Sequence, residues 1–136
     1  MSLTVVAQQY ANLEVSNPQF VYDVNSNFNL RTANSTTSKL APVTMGVYQE
    51  VSALFRNTGS KSIKSTLWEF IFYEDAMRTK VERVYTSRSK TIISPGEMIR
   101  LKKVGRLSDH TQYQEAKVVR IEYEDGTIWE GVKTKY

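Results

Sequence analysis

Apolar and polar residues alternate with a period of two through most of this chain, the pattern of half-buried strands. The alternation is strongest from Val51 to Lys103. In a strand over 43–55, Val47, Val51, Ala53 and Phe55 share one face, with Tyr48, Glu50, Ser52 and Leu54 on the other. Asn57-Thr58-Gly59-Ser60 predicts a turn. The next strand, 63–75, puts Trp68, Phe70 and Phe72 on one face and Leu67, Ile71 and Tyr73 on the other, with Glu69 among them. Apolar residues on both faces mark a central strand. A more polar strand follows over 81–89, then the turn Ser94-Pro95-Gly96 and a strand over 98–104. Read in order, these elements predict a β-meander centred on Trp68, Phe70 and Phe72.

The flanks continue the pattern. Leu13, Val15, Phe20, Tyr22 and Val24 alternate on either side of Asn17-Pro18, which predicts two strand pieces with a kink at the proline. Residues 1–9 show no period and read as a frayed lead. Residues 25–42, rich in Asn, Ser and Thr, read as a loop, and 105–113 as a second loop holding His110. Val119, Ile121 and Tyr123 alternate in a strand over 116–124, and Asp125-Gly126 is a strong hairpin signal before a return strand over 127–132. No amphipathic helix is evident. About seven strands predict one all-β domain over residues 1–136. Its expected form is an antiparallel β-sandwich of immunoglobulin or fibronectin type III character. A closed barrel is the alternative.

Composition narrows the chemistry more than the fold. The chain has no cysteine, which excludes disulfides, cysteine-based zinc sites and thiolate nucleophiles. No run approaches the ~18 apolar residues that a membrane-spanning helix needs. The opening, Met1 to Ala7, is too short for a signal peptide and lacks its basic start. Charge is uneven: nine basic residues against two acidic ones lie between Arg78 and Arg106, in a chain whose formal charge is +4.

That basic stretch is the first candidate for function. Arg88 and Lys90 share one strand face, and Arg100 and Lys102 share another. Pairing of the two strands across Pro95-Gly96 would gather all four into one patch able to attract a polyanion. The alternative role of such cations is to guard a sheet edge against unwanted pairing. Nucleic acid is a poor match, because only Tyr85 is available to stack a base. Trp129 is the candidate for a sugar-binding surface, while Trp68, Phe70 and Phe72 read as core. His110 stands alone, with Asp109 its one acidic neighbour, too few ligands for zinc. Glu74-Asp75 and Glu124-Asp125 sit at strand ends, where carboxylates favour turns over paired acid–base catalysis. The isolated glycines form no phosphate loop. The residues point to no catalytic centre, cofactor or metal.

Three segments resemble the FxLYD-type modules, small immunoglobulin-like sandwiches of bacterial exported and cell-envelope proteins. One is the strand end at Asn57-Thr58-Gly59. The second, Phe70-Ile71-Phe72-Tyr73-Glu74-Asp75, is similar to the naming motif, with Phe72 where leucine is usual and Glu74 where aspartate is usual. The third is the turn Ser94-Pro95-Gly96-Glu97. The resemblance implies a non-catalytic binding, spacer or assembly role outside the cytoplasm, through loops or an exposed strand edge. Expected partners are a protein or a glycan, or a second copy paired through an edge strand.

Overall fold

A computed structural model describes residues 8–22, 49–105 and 113–135. The expectations for residues 1–7, for the loop over 25–42, for 43–48 and for the loop holding His110 fall outside the described residues. Eight strands are present among those described: β1 (Gln8–Tyr10), β2 (Leu13–Tyr22), β3 (Gln49–Asn57), β4 (Ile63–Tyr73), β5 (Val81–Ser89), β6 (Met98–Gly105), β7 (Tyr113–Tyr123) and β8 (Ile128–Glu130). They form two four-stranded sheets, ordered β1-β2-β3-β6 and β5-β4-β7-β8, with every strand pair antiparallel. The all-β sandwich is as expected, and among the described residues the two sheets do not join into a closed barrel. Gln8 and Gln9, expected in the frayed lead, belong to β1.

The meander is corrected. β3 pairs with β2 and β6, while β4 pairs with β5 and β7. The chain therefore crosses between sheets after β3, after β5 and after β6. Burial drives this. Val51, Ala53 and Phe55 of β3 and Trp68, Phe70 and Phe72 of β4 are all buried. Facing sheets bury both sets against each other, whereas neighbours in one sheet would leave the common face uncovered. Phe55 meets Trp68 edge-on at 5.3 Å, and Phe20 of β2 meets Phe72 at 5.5 Å. Each such pair adds about 0.5–1.5 kcal/mol beyond its buried area.

β2 runs through the predicted kink as one strand. Its register slips between Ser16 and Gln19, and Asn17 takes a φ of 52°. Pro18 has no N–H to give to a ladder, so a bulge is the place it fits.

The first crossing is held by Asn57. Its side-chain amide donates to the carbonyls of Lys61 at 2.8 Å and Ile93 at 2.9 Å, and its Oδ1 accepts from Gly59 N–H at 2.9 Å. Its backbone N–H donates to Glu97 O at 3.0 Å, and its carbonyl accepts from Gly96 N–H at 2.7 Å. The Asn-Thr-Gly and Ser-Pro-Gly-Glu segments thus form one knot. Their work in this chain is architectural.

The final hairpin closes as expected. Gly126 takes a φ of 92°, in the region that favours glycine. Asp125 accepts from the hydroxyl of Thr127 at 2.6 Å and its N–H at 3.0 Å, and pairs with Lys61 at 3.1 Å. These contacts, the Thr127 hydroxyl first, pull its pKa down from 3.8 to about 2. The stabilisation from the carboxylate is therefore present above pH 3.8 and lost as pH falls through about 2. Asp125→Ala is expected to lower the thermal midpoint at pH 7, with the gap to the parent narrowing toward pH 2 in paired melts.

Beyond the hairpin the chain folds back over the outer face of the β5-β4-β7-β8 sheet. Gly131 N–H donates to Val119 O at 3.0 Å. The Thr134 N–H reaches the Glu69 carboxylate at 3.2 and 3.3 Å, and Lys117 Nζ reaches the Thr134 hydroxyl at 3.3 Å. This contact accounts for a glutamate only 3% exposed in the middle of β4.

Candidate functional site

Among the described residues β5 and β6 are each an edge strand of their sheet, on the same side of the sandwich, with β8 and β1 at the opposite edges. The segment between them is pinned at two points. Ile93 is buried and exchanges backbone hydrogen bonds with Ile63, each 3.0 Å long. The turn at Pro95-Gly96 closes through Glu97 N–H to Ser94 O at 2.9 Å, with the Glu97 carboxylate accepting from Ser94 N–H at 2.8 Å. Between the two edges lies a cleft of about 360 Å³.

The cleft has a floor and two rims. Ser87 pairs in register with Trp68, and Ser89 with Thr66, so both serines face the interior. Ile99 pairs with Phe55 and Leu101 with Ala53, and these also face inward. Two small serines opposite two aliphatic side chains leave the space that the cleft occupies. Arg88 pairs with Leu67, Lys102 with Ser52 and Arg100 with Leu54, on faces directed away from the core. The cations thus stand along the rims while their backbones line the cleft.

All four predicted basic residues line this one cleft, although not by the expected route. β5 and β6 do not pair across Pro95-Gly96; each is bonded to its own sheet, and the patch spans the gap between sheets. Arg100 is held in place: its guanidinium donates to the Ser52 hydroxyl at 2.8 Å and to Asn17 O at 3.3 Å. Arg88, Lys90 and Lys102 make no ion pair with an acid among the described residues. Elsewhere, Lys61, Lys64, Lys80 and Arg120 each have one.

Trp129 is not part of this cleft. It sits on β8, at the opposite edge of its sheet. It is half-buried, packs on the core, and meets Tyr10 edge-on at 6.3 Å. A Cβ at Gly131 would lie 2.7 Å from its ring, so the chain passes close against it. Trp129 packs on the far side of the sandwich, with Gly131 against its ring and Tyr10 edge-on to it.

The inward serines were not singled out in the sequence, though a Ser-x-Ser pair inside a strand is a readable sign of missing bulk. A tyrosine cluster at the other edge was also unforeseen. The Tyr73 hydroxyl donates to Glu115 at 2.6 Å, Gln8 Nε2 donates to the same carboxylate at 2.9 Å, and the Tyr10 hydroxyl donates to Gln8. Burial, then the Glu115 charge, pushes the Tyr10 pKa up to about 12; burial and the Glu115 hydrogen bond raise that of Tyr73. The Gln8 amide ties β1 to β7, the Tyr73 hydroxyl ties β4 to the same carboxylate, and the Tyr10 hydroxyl holds Gln8 in place. The strand-end carboxylates are similarly occupied: Asp75 accepts from the N–H groups of Thr79 and Lys80, both at 3.0 Å. Among the described residues no three His, Asp or Glu side chains converge as metal ligands, and no helix is long and apolar enough to cross a membrane.

Comparison with protein families, with characterised proteins and with solved structures finds no match to this chain.

Proposed function

We propose that this domain is a non-catalytic binding module whose contact surface is the β5–β6 cleft, and that its partner is anionic. One observation carries the reading. Among the described residues Arg88, Lys90 and Lys102 have no acidic partner on the rims of a single cleft, with Arg100 fixed beside them. Unpaired cations around a concavity raise the local potential and favour a negatively charged ligand. Tyr85, the one aromatic side chain on β5, packs half-buried against Phe72 at 6.0 Å. It is not free to stack a base, which favours a partner other than nucleic acid.

The immunoglobulin-like reading is supported by strand order. Lettered along the chain, β2, β3 and β6 take the A, B and E places, and β5, β4, β7 and β8 take C′, C, F and G. The exported setting rests on the likeness to FxLYD modules, and fractionation of the source cells tests it.

Titration with a sulfated oligosaccharide at rising salt tests the binding reading. Affinity is expected to fall steeply with salt, and Arg88→Ala with Lys102→Ala is expected to weaken it on the order of tenfold. Unchanged binding in the double variant would sink the proposal.

A further inference from the structure

Resting on the anion-binding reading, we propose that the ligand is an extended acidic peptide, which adds as a strand to the edge of β5 that no described strand pairs.

β5 is nine residues long and has β4 as its one strand partner among those described. An edge strand turns alternate backbone N–H and C=O groups away from its sheet, and these can accept another strand. Proteins block such edges with bulges and inward charges. Here those devices sit at one end. The register slips opposite Phe72/Tyr73, skipping Glu82, and Arg83 pairs with buried Phe72 on the inward face. From Val84 to Ser89 the register with β4 is unbroken. The cleft begins in this regular half, at Ser87.

Charge selects the occupant. A second copy pairing its β5 here would bring Arg88 and Lys90 close to their own counterparts, and like charges on facing strands repel. An acidic strand meets the opposite condition. Alternate residues of a strand repeat every ~6.7 Å, so acids at every second position of the incoming segment keep step with Arg88 and Lys90. The residues between them turn inward, over Ser87, Ser89, Ile99 and Leu101, where the cleft has room for aliphatic side chains. The matching sequence is therefore an alternation of Asp or Glu with small apolar residues. β5 is favoured over β6 because Arg100 is already engaged with Ser52 and Asn17.

The test uses a fluorescent eight-residue peptide of alternating glutamate and valine. A companion peptide has two central valines replaced by proline, which keeps every charge and removes two backbone donors. The first peptide is expected to bind, and the proline peptide to bind at least tenfold more weakly. Arg88→Glu is expected to lose the glutamate peptide by a similar factor and gain a lysine–valine peptide. Arg88 is exposed, and circular dichroism checks that the variant is folded. Equal binding of the proline peptide overturns strand addition and leaves a simple anion site. Binding of a sulfated oligosaccharide without binding of either peptide overturns the peptide as partner. Binding of neither class overturns this inference and the reading beneath it.

Discussion

Trp68→Ala is expected to remove about 3–5 kcal/mol of stability, the range for a buried aromatic truncated to alanine. That is a large share of the roughly 5–15 kcal/mol by which a domain is stable. The corresponding fall in thermal midpoint is on the order of 10–20 °C. Trp68 is 1% exposed and packs from β4 onto Phe55 of the facing sheet. Its loss opens a cavity at the point where the two layers are joined. Trp68→Phe separates packing from polarity. The indole N–H is buried and has no acceptor among the described residues, so the expectation is that the parent already carries the cost of an unpaired donor. Phenylalanine loses contact area but relieves that cost, and its net effect is expected to stay within about 1.5 kcal/mol. Denaturant unfolding of the three proteins decides the matter. A phenylalanine variant as weak as the alanine variant would mean that the indole N–H has a partner.

Asn57→Ala is expected to cost about 3 kcal/mol, although it removes almost no apolar surface. The side chain is fully buried and makes three hydrogen bonds to main-chain groups of two separate turns. Alanine leaves those groups without partners where water enters poorly, so each loss exceeds that of an exposed bond. Asn57→Asp is no remedy. It keeps the acceptor for Gly59 but sets a carboxylate against the carbonyls of Lys61 and Ile93. Ser60→Ala, in the same turn but exposed, is the control and is expected to stay within about 0.5 kcal/mol. Equal stability of Asn57→Ala and Ser60→Ala would show that the knot contributes nothing. Because Ile93 starts the approach to β6, loosening this knot is also expected to weaken the anion binding proposed at the cleft.

Asn57-Thr58-Gly59 was readable as a turn, and Ser94-Pro95-Gly96-Glu97 as another. That one asparagine ties them together was not readable. The segments lie far apart in the chain, and neither turn's chemistry depends on the other being near. The candidate site has the same history. Arg88 and Lys90, and Arg100 and Lys102, stood out as pairs two residues apart, and a shared location was inferred from a hairpin. The four do line one cleft, but no hairpin brings them there. A proline–glycine turn serves equally between paired strands and between strands of facing sheets.

The chain's own pattern determined what is local. Period-two alternation set where strands run and most of the residues that face inward, because side chains on a strand alternate whatever lies beside it. In β7 a bulge at Val119 resets the phase, so Val118, not Val119, faces the core with Ile121 and Tyr123. Apolar residues on both faces of β4 marked it as central, and Asp125-Gly126 fixed the last hairpin. Tertiary structure alone decided which strands became neighbours. A strand buries its inward face equally well against either sheet, so burial of both inward apolar sets, not their order in the chain, sent β3 and β4 to opposite layers. The same choice left β5 and β6 as adjacent edges, with two serines on the inner side of β5, and so created the basic cleft.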